Sequence, residues 1–336
     1  MTYKKWFFLT TITAITIYLL ILISYILIDP EIVFNKSITE KKFGYTKYYS
    51  KYQFKKLLQD KYSLVFGTSR SQKVSSCYQG NNLLNFHNIY GEPREILNFL
   101  LQLNQKQLNN IKNIYILVSL KTMRENGEEF INYKSNTFFD KLLFILPLSP
   151  MSVKYLIRDI KYNILKSSIY YWIDDDGSLY VNDKNQSVII TAEAKKQKLS
   201  YNIDDYQNAI QTLLEIDKFC KKHSINIKYY TPTNADKFFP DTQMLRDLWL
   251  KLFQGGIDNF YGLYYIDGVS NNVKNDNYLN FTDSNHLNYN MMNKIFKNIV
   301  VQENKDYLIK NESELEDYIR TLDMMIIKMP YKLYWE

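Results

Sequence analysis

The sequence predicts an α/β protein: a doubly wound, mainly parallel sheet with a helical and hairpin insertion, preceded by one N-terminal transmembrane helix. Three observations carry this. An uncharged apolar run lies near the start, short β-rich runs then alternate with helical patterns, and a middle stretch breaks the alternation. At 336 residues and 46% hydrophobic, the chain has ample material for one large core. The expected divisions are an anchor at 6–28, a connector with a short helix at 29–60, an α/β domain at 61–300 with its insertion at about 128–200, and a helical tail at 301–336.

From Trp6 to Ile28 the run WFFLTTITAITIYLLILISYILI has no charge for 23 residues. As a helix it would be about 34 Å long, enough for a hydrocarbon core of about 30 Å. A cleavable signal would have a shorter apolar stretch and a small-residue cleavage site, and ISYILIDPE offers none, so an uncleaved anchor is expected. Asp29-Pro30 stops the helix, because proline cannot continue the hydrogen-bond ladder. Lys4 and Lys5 before the run are matched by Lys36, Lys41 and Lys42 after it, so charge barely decides orientation.

Beyond the connector, Lys47 to Lys61 reads as a short amphipathic helix. The expected strands are Tyr62–Phe66, Asn82–Phe86, Asn113–Ser119, Asn226–Tyr230 and Leu263–Ile266, each short, rich in β-formers and bounded by turn residues. Helices are expected over Pro93 to Gln107, Ala192 to Lys222, Asp241 to Phe253 and Asn288 to Val301, where apolar residues recur every three or four positions. The insertion, expected to cap one face, holds a helical segment around Met151 to Leu165 and a hairpin, YYWIDDDGSLYV, with an Asp-Gly turn.

Several function classes are excluded at once. The net charge of +7 comes from 42 Lys and Arg scattered among 35 Asp and Glu, mostly as doublets such as Lys55-Lys56, which describes a mixed solvated surface and no nucleic-acid partner. Cys77 and Cys220 make neither a disulfide framework nor a metal-ligand spacing. Asp174-Asp175-Asp176-Gly177 lacks the alternating ligands of a calcium loop and reads as a turn, and no phosphate loop or dinucleotide fingerprint occurs. No metal or cofactor is expected. His87 and His223 have no carboxylate at useful spacing.

Two segments point to chemistry. In YSLVFGTSRS a hydrophobic strand runs into Gly67-Thr68-Ser69-Arg70, placing a serine at the carboxyl edge of a parallel sheet, where α/β folds bind ligands. In FTDSNHLNYNMMNKIF, Asp283 and His286 are three apart just before an amphipathic helix, a spacing at which a carboxylate can orient an imidazole.

Together, GTSR after the first strand and Phe-x-Asp-x-x-His-Leu near the end of the domain resemble the SGNH (GDSL-type) hydrolase superfamily, and in particular its membrane-anchored cell-envelope members. The resemblance covers about residues 61–300 and rests on these two motifs. It implies a serine esterase or O-acetyltransferase with Ser69 as nucleophile, His286 as base and Asp283 as its orienting partner. It also implies an oxyanion site built from the Ser69 and Gly91 amides, Gly91 standing in NFHNIYGEPREI after the second strand. The Gly-x-Asn expected after the third strand is absent: in VSLKTM, Ser119 stands at the Gly and Lys121 at the Asn, with Asn126 a few residues on. Losing one such donor typically costs about 10² to 10³ in rate. The implied partners are a glycan or other acylated envelope substrate, the membrane through residues 6–28, and a membrane acyl-transfer partner protein, with the soluble domain in the periplasm or at the cell surface. The alternative is a catalytically silent module of the same fold that binds glycan or a membrane partner.

Overall fold

The computed structural model describes residues 2–31, 33, 47–76, 82–87, 91–123, 141, 146, 149–165, 171–173, 178–181, 188–189, 203–234, 238–239, 241–274, 277–281, 286–327 and 333–334. They fall into two compact units, residues 1–54 with 132–174, and residues 55–131 with 175–336.

The first unit is built on α1, Tyr3–Ile28, a helix long and apolar enough to cross a membrane. Asp29 ends it in a left-handed conformation, its N–H bonding the Tyr25 carbonyl. The helix α2 follows at Lys47–Lys56, shorter than the sequence pattern suggests. The helical part of the insertion also belongs to this unit. It forms α5 at Pro150–Asp159, with Ser149 accepting from the Ser152 N–H as N-cap, and runs on as a π-turn at Ile160–Ile164. Tyr25, Ile28, Val33 and Leu156 are buried together, with Ile21, Leu22, Ile26 and Ile160 packed against them.

In the second unit the sheet contains β1 (Tyr62–Phe66), β2 (Leu83–Asn85), β3 (Ile111–Leu117), β4 (Asn226–Tyr230), β5 (Phe260–Tyr261) and β6 (Leu308–Ile309). Among the described residues it is six-stranded, in the order β6-β5-β4-β3-β1-β2. All neighbours are parallel except the β5–β6 pair. The fifth strand corrects the sequence expectation. It forms at Phe260–Tyr261, and Leu263–Ile266 is irregular. The Thr231 N–H and Thr231 Oγ1 engage the Tyr261 carbonyl and the Leu263 N–H, so hydrogen bonding to β4's exit, and not the apolar run itself, decides where pairing stops.

Alternate residues of each strand face opposite layers, as the period of two requires. Val65, Tyr115, Leu117 and Tyr230 face α8 (Tyr289–Ile295) and the π-turn Phe296–Val301 that prolongs it. Phe296 meets Tyr115 and Tyr230 edge-on at centroid distances of 5.0 and 5.4 Å. On the other face Phe66 packs with Phe86 and with Phe99 of α3 (Pro93–Leu101). Burial of each of these rings stabilises the fold by about 1.5–3 kcal/mol. Next to α3 lies α6, Gln207–Lys222, whose Asp217 accepts a hydrogen bond from Tyr229 of β4. The expected single helix from Pro93 to Gln107 is split: α3 ends at Leu101 and Asn104 caps a new short helix, α4, at Gln105–Asn109. Helix α7, Thr242–Gln254, is capped by Asp241 and covered by α9, Glu312–Ile327. Residues 301–336 thus supply both an edge strand and a packed helix. Both arms of the expected hairpin exist, at Tyr171–Ile173 and Leu179–Val181, and its Asp174–Gly177 turn lies outside the described residues.

Candidate active site

Where β1 ends, the chain must turn away from the sheet edge in very little room. A Cβ on Gly67 would sit 2.7 Å from the Leu117 Cβ and 2.7 Å from the Ser71 Oγ, so only glycine fits. The turn closes on itself: the N–H and Oγ of Ser71 both bond the Thr68 carbonyl at 2.9 Å, and the Val74 N–H bonds the Ser71 carbonyl. Ser69 is lifted to the carboxyl edge of the sheet, half-buried.

His286 meets it there. Its Nε2 lies 2.8 Å from the Ser69 Oγ, although the two residues are 217 positions apart in sequence. That is the nucleophile–base spacing an activated serine needs. Asp283, expected to orient this imidazole, lies outside the described residues, as does Asn126.

The segments bearing the pair are joined by polar side chains that the sequence analysis did not single out. Asn293 of α8, fully buried, donates from Nδ2 to the carbonyls of Lys73 and Tyr289 at 2.7 and 2.9 Å and accepts from the Ser75 N–H at 2.8 Å. Lys73, also buried, donates from Nζ to the carbonyl of Leu287 at 2.9 Å. The segment that follows Ser69 is therefore tied at three points to the segment that carries His286. Buried Asn85 of β2 braces the same turn, donating to the carbonyls of Ser71 and Val74 while its Oδ1 accepts from the His87 N–H. There was one sequence signal for these: Asn293 stands on the stripe Tyr289, Phe296, Val300, and Asn85 interrupts the run LLNF, each a polar residue at a core position.

Gly91 abuts the turn from the other side, its Cβ direction ending 3.3 Å from the Thr68 Cγ2. The exit of β3 is different in kind. Ser119 and Thr122 cap each other, the Ser119 N–H bonding the Thr122 Oγ1 and the Thr122 N–H bonding the Ser119 Oγ, while Lys121 is exposed. No carboxamide is offered by the described part of this loop. A small pocket lies beside the pair, lined by Arg70, Thr231, Thr233, Leu287, Met292 and Phe296. Arg70 and Leu287, which directly follow Ser69 and His286 in sequence, are the lining residues nearest the pair along the chain.

The remaining candidates serve the fold. His223 caps α6 and packs on Phe219 at a centroid distance of 4.5 Å, and His87 is buried just past β2. Cys220 is fully buried; burial, reinforced by the Asp217 carboxylate, pushes its thiol up to about 12, which removes it as a nucleophile. No cluster of metal-ligating side chains occurs among the described residues. Comparison of the chain with models of protein families, with curated proteins and with solved structures finds no match.

Proposed function

We propose that this chain is a membrane-anchored acyl-ester hydrolase or O-acyltransferase that acts on cell-envelope polysaccharide through an acyl-serine intermediate. The observation that carries the proposal is the 2.8 Å approach of His286 Nε2 to Ser69 Oγ in a site whose turn is sterically reserved for glycine. The mechanism follows from the chemistry of such a pair. His286 removes the proton as Ser69 Oγ attacks the ester carbonyl, and the oxyanion is held by the main-chain N–H groups of Ser69 and Gly91. As the carbonyl re-forms, the ester bond breaks and the departing alkoxide takes the proton from His286. A water molecule or a sugar hydroxyl then yields its proton to His286, attacks the acyl carbon and leaves Ser69 Oγ to take the proton back. Asp283, three residues before His286, is the proposed orienting carboxylate. The helix α1 anchors the chain, with the domain outside the cytoplasm, and acyl groups reach it from a partner protein in the same membrane.

A second reading, a silent module that binds glycan or a membrane partner, is favoured by one observation: the self-capped exit of β3, where Lys121 replaces an amide donor. Hydrolysis of an acetyl-ester chromogen by the detergent-solubilised full chain separates the two. Ser69→Ala and His286→Ala should each abolish turnover, and the double variant should be little worse, because members of one catalytic unit are strongly non-additive. Turnover by Ser69→Ala equal to that of the parent chain would end the enzyme reading.

A further inference from the structure

The helix α1 has two unlike sides. Leu19, Leu20, Ile23 and Leu27 are 47–59% exposed, whereas Ile21, Leu22, Tyr25, Ile26 and Ile28 pack with Leu156 and Ile160 of the α5 segment. Those packed residues belong to the apolar run itself. Leu146, four residues before Pro150, lies deeper still, since the Tyr18 hydroxyl donates to its carbonyl. Tyr18 is ten residues before Ile28, about 15 Å down the helix axis, roughly half of a hydrocarbon core of about 30 Å.

The far side of α5 repeats the character of α1. Met151, Ile157, Ile164 and Leu165 are 51–68% exposed, with Lys154 and Lys161 exposed between them. Among the described residues the acidic groups of this unit are turned inward: Asp29, Glu31 and Asp159 are all buried, Glu31 accepting from the Tyr25 hydroxyl and Asp159 from Asn163 Nδ2. An apolar stripe interleaved with lysines and free of carboxylates suits a bilayer interface, where stems lie among acyl chains and ammonium groups reach anionic headgroups.

We infer that the segment from Pro150 to Leu165 is a second membrane element, lying beside the anchor in the leaflet on the domain's side, with Ile157 and Ile164 against acyl chains and Lys154 and Lys161 at anionic headgroups. The inference rests on the reading that α1 spans a bilayer. Given that reading, continuity commits the occupant: the exposed face of α5 prolongs the lipid-facing surface of α1.

The test uses the full chain, its native cysteines replaced, in vesicles of phosphatidylethanolamine and phosphatidylglycerol. Nitroxide labels are placed one at a time at Ile157→Cys and Ile164→Cys, with Leu20→Cys as the lipid reference and exposed Lys218→Cys as the water reference. Collision rates are measured with oxygen, which concentrates in lipid, and with a nickel chelate, which stays in water. The expected result is an oxygen-to-nickel ratio at both α5 sites close to that of Leu20 and several-fold above that of Lys218. A ratio like that of Lys218 overturns the inference, because the face is then in water. Low collision rates with both reagents also overturn it, because protein then covers the face. If Leu20 itself behaves like Lys218, the anchor reading has failed, a result distinct from failure of the α5 assignment alone.

Discussion

Replacing Asn293 with alanine removes the side chain that joins the segment after Ser69 to the segment that carries His286. The Lys73 carbonyl and the Ser75 N–H each lose a hydrogen bond in a place closed to water, Asn293 and Ser75 having no exposed surface and Lys73 4%. Each intramolecular hydrogen bond contributes about 0.5–1.5 kcal/mol net, so the variant should lose roughly 1–3 kcal/mol of stability. The effect on turnover is separable. The substrate's own contacts are untouched, but the segments bearing Ser69 and His286 become free to separate, and a misplacement of about 1 Å can cost on the order of 10² in rate. Asn293→Asp sharpens the test: it can still accept from Ser75 but sets a carboxylate against the carbonyls of Lys73 and Tyr289, so it should be impaired at least as much. The assay is ester hydrolysis by the solubilised full chain well below each variant's Tm, with urea unfolding in parallel. The expected outcome is a fall in kcat of about tenfold or more with KM little changed. A folded Asn293→Ala chain with the parent's kcat would refute the reasoning, since the serine and histidine would then be held by something else.

Two further outcomes follow from the same geometry. Gly67→Ala should destabilise by about 1–3 kcal/mol and abolish turnover, because the added methyl meets Leu117 Cβ and Ser71 Oγ at 2.7 Å. Gly91→Ala, whose methyl meets the Thr68 methyl at 3.3 Å and the Gly67 carbonyl oxygen at 3.9 Å, should be clearly milder in stability, and the reverse order in parallel thermal melts would contradict the site as described. Alkali should also unfold the domain. Burial, with the Glu303 carboxylate adding to it, pushes the Tyr115 phenol from an ordinary 10.0 up to about 12. A raised acid holds its proton more tightly in the folded state, so this contribution to stability is complete below pH 10.0 and is lost as pH rises through about 12. Urea midpoints should fall across that window as phenolate absorbance appears, and midpoints that stay level would show that Tyr115 ionises as readily folded as unfolded.

Much of this was legible in the chain because the signals were local. Tyr62–Phe66 and Asn226–Tyr230 form strands at the expected bounds, and Asp241 caps its helix, because strand runs and caps are set by residues a few positions apart. The turn at Gly67 and the placement of Ser69 follow from one strand meeting one glycine. The errors have a common origin in partners distant in sequence. The run Leu263–Ile266 has strand composition, yet bonds from the exit of β4 end the pairing at Tyr261. The edge strand Leu308–Ile309 is two residues long and carries no pattern of its own. Asn85 and Asn293 look like polar interruptions of apolar segments and Lys73 like one more polar residue of a turn, and their purpose appears only when β2, the turn after β1 and α8 are brought together. The helix α5 was visible as a helix, but its packing on α1 was not, since an amphipathic pattern names a buried face and not its partner.

The separation of 217 positions between Ser69 and His286 carries a kinetic consequence. Contacts of long sequence separation are slow to form, because the entropy of closing the intervening chain must be met first. Translation delivers the serine early, on a strand that can pair with its neighbours well before the histidine has been made. During that interval the hydroxyl has no base and is an ordinary alcohol. On the proposed function, reactivity therefore arrives only with the docking of α8 against the sheet, so a nascent or partly unfolded chain carries no competent nucleophile.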